Sequence, residues 1–479
     1  MEDRNAYQYE PLSDDDEIRI IALDPATVID MPLSCSILHR RRSYPTTKYS
    51  AVSYAWGIPE YTGSLEIIHG RGSSLFTITT TVDTMLRYLR LPGETRYLWI
   101  DAICLNQNDQ IEKAHQVPQM GSIYKRAEDV RIWLGVETAR TAWLFTLFGR
   151  VDLYTYNEAY YGRSFSREAN RYLYRMWKQV PGGCDKLLAF KEKEENDRFF
   201  LCDCINEIGS EFFGQSWFSR RWVIQEAMLA RKAVIHWGSH TISLEVVTLY
   251  VRRMNAFQMS RVEHYRANYN KTMAAALGNP LKTTDLLEHL WNFHEAECRD
   301  KKDRIAALHG LCPYGRFQLD YKSDWKEIYK QVASSALRSA NKDTRIYVLL
   351  HLFEFGAVRW PNDLDFPSWV PDWSKKRKRP LPYIMYSKYG KLEAYPSWLG
   401  LDKASLVICG DILRIHPCPA PGPTGAWRVV YVTSPSMDRY DPDHVLNILN
   451  HLIPHARARI AIRHSRSRFP YLLHPGFPT

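Results

Sequence analysis

Two places in the sequence group side chains that could do chemistry. In the first, Asp101 interrupts the apolar run at residues 97–104, and the polar loop Leu105-Asn106-Gln107-Asn108 follows it. A carboxylate in such a run must either be paired or lie at the end of a strand facing a crevice. In the second, WFSRRWVIQEAMLA, Trp222 and Glu226 stand four apart and so share one face of a helix that Ser219 can cap. Each has a structural alternative. Asp101 can bond the loop amides of Leu105 to Gln107 merely to shape the turn, Glu226 can pair with Arg220 or Arg221, and Trp222 can be core. Cys104 reads as a small buried residue, since no histidine is evident beside it. No GxSxG, HExxH or Walker A pattern occurs, which argues against hydrolase, zincin and NTPase chemistry of those kinds.

The elements that must position these residues follow from periodicity. Residues 97–104 form a short run suited to a strand buried on both faces. Asp109 with Glu112 fits a capping box, and Val117, Met120, Ile123, Tyr124 and Ala127 give the ensuing helix an apolar face. Pro118 predicts a kink or restart within it. Residues 130–134, closed by Gly135, return as a second strand, completing one parallel strand–helix–strand unit.

Further strands are expected at 18–22, 35–38, 50–56 and 234–237, and Gly238 ends the last of them. Residues 65–68 and 75–78 flank His69 to Gly72 as a hairpin, whose glycines lack the third glycine and helix of a phosphate loop. Thr81 is placed to cap a helix carrying Val82, Met85, Leu86 and Leu89. The fold class is therefore α/β, an open parallel sheet with flanking helices. Trp56, Gly57, Asp101, Asn106, Gln107, Gly135 and Gly238 fall at or just past the C-terminal ends of its strands. That edge is where open parallel sheets bind ligands, although Gly57 and Gly135 can equally serve only tight turns.

Composition sets outer limits. The chain has 479 residues, 45% hydrophobic and 24% charged, enough for more than one core. No apolar run approaches the roughly 18 residues of a membrane span. The acidic start, Asp14-Asp15-Asp16-Glu17, resembles no secretory or mitochondrial signal. Nine cysteines with no CxxC imply reduced thiols and an intracellular, cytoplasmic setting. Cys184, Cys202 and Cys204 match no zinc spacing, so no metal and no cofactor is expected.

The net charge of +10 has a location. Lys375-Lys376-Arg377-Lys378-Arg379 and Arg457, Arg459, Arg463, Arg466 and Arg468 are ten bases in two acid-free stretches; without them 53 basic residues face 53 acidic ones. The excess belongs to two local segments, each most simply a solvated loop or tail, and does not mark a nucleic-acid-binding fold. The first run, followed by Pro380, also fits a nuclear-import signal.

Past the sheet, residues 246–350 read as helical, with a helix at 303–311 and another carrying Trp325, Ile328, Tyr329, Val332, Ala333, Ala336 and Leu337 behind an Asp324/Glu327 capping box. Residues 351–417 read as an extended segment packed on the body, including FPSWVPDWS and strands within 406–415. Residues 418–479 form a Pro/Arg-rich tail in which 456–462 suggests a helix. Residues 138–215 read as an insertion with some helix.

Several phrases in order resemble the heterokaryon incompatibility (HET) domain of filamentous fungi: YSAVSYAWG, LWIDAICLNQ with Glu112 and Met120 downstream, Ile123 to Ala127 as IYxxA, WLG, and RRWVIQEAMLA. The lead-in YEPL and IRIIAL, and the later DKKDRIAALHGLC, DYKSDWKEIYKQVA and FPSWVPDWS, are also similar to material around such domains. The resemblance spans residues 9–374, places the domain at 48–245 after N-terminal strands at 1–47, and implies non-self recognition and programmed cell death.

HET domains are similar in outline to TIR domains, which implies a TIR-like (flavodoxin-like) sheet. YSAVSYAWG lies where a TIR domain has its first strand and turn, and WVIQEA matches the Trp-x-x-x-Glu phrase of TIR domains that cleave NAD; the insertion before that helix has no TIR counterpart. By that likeness Glu226 is the catalytic carboxylate, and NAD is the substrate in place of any cofactor. A fixed carboxylate can stabilise an oxocarbenium-like ribose. Trp56 or Trp222 can stack on a base, Arg221 can pair with phosphate, and amides near Gly57 can hold the pyrophosphate. The alternatives are a non-enzymatic module that assembles with other incompatibility or death-signalling proteins or with itself, and a nuclear regulator.

Overall fold

The computed structural model describes residues 6–149 except 45 and 71, then 211–258, 277, 284–312, 317–338, a few positions between 348 and 377, and short strands between 405 and 475. The greater part of the expected insertion with Cys184, Cys202 and Cys204, and Lys378, Arg379 and most of the tail, lie outside the described residues. The chain divides into two units, one of residues 1–286 with 295–323, the other of 287–294 with 324–479.

The first unit is built on a nine-stranded open sheet, ordered β5-β4-β2-β1-β6-β3-β7-β8-β9. Its strands are β1 (Glu17–Leu23), β2 (Leu33–Arg41), β3 (Ser50–Tyr54), β4 (Gly63–His69), β5 (Gly72–Ile78), β6 (Arg96–Trp99), β7 (Asp129–Trp133), β8 (Ala233–Trp237) and β9 (His240–Ser243). The sheet is mixed, not parallel throughout. β6, β3, β7 and β8 form a parallel block, while β1 runs antiparallel to both β2 and β6, and β8 to β9. The short β1–β2 and β8–β9 connections permit only antiparallel return, whereas parallel neighbours need a crossover. In β3, Ala51, Val52, Ser53 and Tyr54 are all buried, as a strand covered on both faces requires.

Three expected boundaries are corrected. The strand at 97–104 stops at Trp99, and α2 (Asp101–Cys104) is a single helical turn whose first carboxylate accepts from the Ala102 amide at 2.8 Å. An acid at a helix start competes well with continued strand. Helix α1 (Thr80–Leu89) is capped by Thr79 rather than Thr81, and buries Val82, Met85, Leu86 and Leu89 as expected. The helix carrying Glu226 has no side-chain cap from Ser219, which lies instead in a 3-10 turn.

The crossover from β6 to β7 behaves as its sequence indicates. Asp109 caps α3 (Gln110–Gln116) by accepting from the amides of Ile111 and Glu112, a 3-10 turn at Val117–Gln119 contains Pro118, and α4 (Met120–Arg126) restarts beyond it. Glu112, however, does not close a capping box; its carboxylate accepts from Arg19 and from the Asn106 amide. After α5 (Thr141–Gly149), the described chain resumes before α6 (Trp222–Met228), followed by α7 (Leu244–Gln258) beyond β9. Among the described residues no helix is long and apolar enough to cross a membrane.

Beyond α7 come α8 (Leu286–Asn292), α9 (Asp303–His309) and α10 (Trp325–Leu337), the last capped by Asp324 and burying Ile328, Tyr329, Val332, Ala333, Ala336 and Leu337. In the second unit Trp369, Val370 and Trp373 of the FPSWVPDWS phrase are buried, and the Trp373 indole donates to His351 Nδ1 at 2.9 Å. In the first basic run Lys375 and Lys376 are exposed, as expected of a solvated segment, and Arg377 is half-buried. Lys375 pairs with Asp372 at 3.1 Å, and the Arg377 guanidinium lies 4.5 Å from the ring centre of Trp291. Strands at Ser405–Cys409 and Ile412–His416 pair antiparallel, as expected of 406–415, but Ile460–Ile462 is a strand paired with Leu473–Pro475 where a helix was expected.

Candidate functional site

The site grows from the C-terminal end of β3. Successive strand residues point to opposite faces, so Ser53 and Tyr54 diverge. Ser53 meets the buried carboxyl of Glu226, to which its hydroxyl is closely hydrogen-bonded, and accepts the Trp217 indole N–H at 2.7 Å. Tyr54 bonds Asp101, at the end of β6. The Tyr124 hydroxyl, from α4, donates to the Val52 carbonyl at 3.0 Å and also bonds Glu226. Arg220 donates to the Tyr54 carbonyl, and its positive charge acts on both carboxylates.

The electrostatics follow from this enclosure. Glu226 is only 2% exposed, and desolvation pushes its pKa up to about 7. Arg220 and the hydrogen bonds with Ser53 and Tyr124 oppose that rise, while the nearby charge of Asp101 adds to it. Asp101 is also raised by desolvation, against Arg220 and hydrogen bonds from Trp56, the Ala102 amide and Tyr54. Part of Asp101 remains open to solvent, and Trp56, whose indole donates to it at 3.0 Å, is 40% exposed at the rim. A carboxyl near neutrality beside a second carboxyl and an arginine is suited to proton transfer and to stabilising a developing positive charge.

Other expected members serve elsewhere. Arg221 is buried, with Nε and Nη2 both donating to the Arg304 carbonyl at 2.9 and 2.7 Å, so it does not face the carboxyls as a phosphate partner would. Trp222 is hydrogen-bonded to Asp303 instead of forming a stacking wall beside Glu226. Side chains lean toward a helix's N-terminus, and Trp222, at the first position of a seven-residue helix, reaches past its start. Gln225 accepts the Gly310 amide at 2.9 Å, and residues 219–221 are tied by backbone bonds to Glu297. These contacts fix α6 so that Glu226 faces Ser53.

Asn106 and Gln107 shape the wall. Gln107 Nε2 donates to the Asp101 carbonyl at 2.8 Å, and Asn106 Oδ1 accepts the Asn108 amide at 3.2 Å. The Asp101 carboxylate accepts from the Ala102 amide and not from those of Leu105 to Gln107; the Leu105 amide donates instead to the Asp101 backbone carbonyl at 3.3 Å. The loop is held from beneath by Arg19, fully buried, which donates to Glu112 at 2.7 and 3.0 Å, to the Cys104 carbonyl at 3.1 Å and to the Glu10 carbonyl at 2.7 Å. The Tyr9 hydroxyl donates to the Ile103 carbonyl at 2.9 Å. Gly57 has φ +69°, a left-handed conformation that favours glycine and turns the chain at Trp56.

Sequence reasoning passed over Ser53, Tyr54, Tyr124 and Trp217. Ser53 had a signal, a polar residue inside a buried strand, whereas Tyr124 and Trp217 look like ordinary core. Of the two arginines weighed as partners for Glu226, Arg220 is the one whose charge reaches it.

Fold and site together define an α/β protein with an open mixed sheet and a carboxylate cluster at the C-terminal edge of its parallel block. The family model described as "Heterokaryon incompatibility protein (HET)" matches residues 49–226, from the start of β3 through Glu226, so this segment is similar to that family. The chain is 24% identical over 424 residues to "Heterokaryon incompatibility protein 6, OR allele" of Neurospora crassa, a match covering 77% of this chain and 60% of that protein. No solved structure matches the chain.

Proposed function

We propose that this chain acts in heterokaryon incompatibility, and that its HET-like segment does so by cleaving the nicotinamide–ribose bond of NAD. The observation that carries the chemical part is the convergence of Glu226, Asp101 and Arg220 at the edge of the sheet where open parallel strands bind ligands. The exposed Trp56 ring offers a stacking surface at the rim. As the glycosidic bond breaks, its electron pair passes to the nicotinamide nitrogen and water supplies the new bond to the ribose carbon. Glu226, as carboxylate, stabilises the positive charge on the ribose and takes the proton from water. Arg220, rather than Arg221, is the cation positioned to tune that carboxylate.

A second reading, a non-enzymatic signalling module, is favoured by the burial of Glu226, which substrate reaches only if α6 or the rim moves. Expression in a filamentous fungus separates the two. If the chain cleaves NAD, wild type arrests hyphal growth as cellular NAD falls, and Glu226→Gln does neither. Arrest with NAD unchanged sinks the enzymatic reading and leaves the module.

A further inference from the structure

We propose that residues 297–310 form a latch that controls access to Glu226, a regulation of the site that rests on the reading of Glu226 as its reactive carboxyl. Glu226 is 2% exposed, so no solute meets it until α6 or the rim shifts. What holds α6 in place therefore controls the site. This helix has seven residues and no side-chain N-cap, and one so short has little stability of its own. Its position is set from outside.

The support comes from one segment, which lies beyond the residues matched by the family model. Glu297 and Arg220 form an isolated parallel bridge: the Arg221 amide donates to the Glu297 carbonyl at 2.8 Å, and the Glu297 amide to the Ser219 carbonyl at 2.7 Å. The Arg221 guanidinium donates twice to the Arg304 carbonyl, and Arg304 Nη1 in turn donates to the Ala296 carbonyl at 2.8 Å. Gln225, next to Glu226 in the helix, accepts the Gly310 amide at 2.9 Å. A Cβ on Gly121 would lie 3.1 Å from the Gly310 Cα, so the same segment also abuts α4, which carries the Glu226 partner Tyr124. Each of these bonds involves a backbone group, which water can satisfy once α6 moves. The net cost of release is then a fraction of the strength of the bonds, as a latch requires. The place of the segment in the chain suits regulation: residues 295–323 belong to the first unit, whereas those on either side, 287–294 and 324–479, belong to the second.

The test measures access to Glu226 directly: the full chain is labelled with a water-soluble carbodiimide and an amine, and the modified carboxyls are located by mass spectrometry. Gln225→Met removes the bond to Gly310 at nearly constant volume, and Arg221→Lys keeps the charge but loses the twofold grip on Arg304. Glu226 is labelled about fivefold faster in the first and about tenfold faster in the second than in wild type. Glu112, 9% exposed and paired with Arg19, is labelled at its wild-type rate in both. NAD cleavage rises in the same order. The proposal is overturned if Glu226 labelling is unchanged, or if Glu112 speeds up equally, which marks general loosening. Faster labelling with NAD cleavage below that of wild type overturns it too, since the segment then supports catalysis and does not restrain it. Faster labelling with no NAD cleavage by any of the proteins upholds the latch and overturns only the NAD reading. Should Arg221→Lys not fold, Gln225→Met decides by the same measurements.

Discussion

Replacing Glu226 by Gln has an effect on stability that depends on pH in a calculable way. Burial lifts this carboxyl from its ordinary 4.5 to about 7. Between those values the native state keeps a proton that the unfolded chain has released, so stability falls as pH rises through the window. At about 1.4 kcal/mol per pH unit the whole fall is roughly 3 kcal/mol, complete a little above pH 7. Gln is nearly isosteric, keeps a hydrogen-bonding partner for Ser53, and does not titrate. Urea unfolding of both proteins from pH 4.5 to 8.5 at fixed ionic strength should therefore show wild type losing roughly 3 kcal/mol relative to Glu226→Gln, with the difference level above about pH 8. A difference constant to within about 0.5 kcal/mol would refute the placement of Glu226 as a buried carboxyl held protonated by desolvation.

Three other outcomes follow from the same geometry. Arg220→Met removes the charge that favours ionised Glu226, so the midpoint of the stability profile moves to higher pH; an unchanged midpoint would separate Arg220 from the carboxyls. Arg19→Met leaves Glu112 buried without its partner and costs about 3–5 kcal/mol in chemical denaturation, part of which Arg19→Met with Glu112→Leu recovers. Gly310→Ala places a Cβ 2.3 Å from Gln225 Oε1, disturbing the contact that fixes α6, and costs about 1–3 kcal/mol by the same measurement.

Much of the sheet was legible because its signals are local. The buried run of β3, the capping aspartate at 109, the restart at Pro118 and the glycine turns at 57 and 238 each depend on a few neighbouring residues. The antiparallel placement of β1 beside β6 was not legible, since pairing partners distant in sequence leave no local trace. At the site, Asp101 stood out as an acid in an apolar run and Glu226 through its place four residues after Trp222, but Trp222 and Arg221, expected to meet ligand beside it, bond elsewhere. Spacing predicts which face a side chain shares, not which neighbour claims it; α9, more than 80 residues further on, takes both. Ser53 and Tyr124 were hidden for the converse reason, being polar groups in positions that otherwise pattern as core.

Nicotinamide release from NAD by the purified full chain near pH 7, compared between wild type and Glu226→Gln, tests the central claim most directly. The urea profile first establishes that the variant is folded. The convergence of Glu226, Asp101 and Arg220 predicts release by wild type and background release by the variant. Equal release by the two, or none from folded wild type, would contradict it.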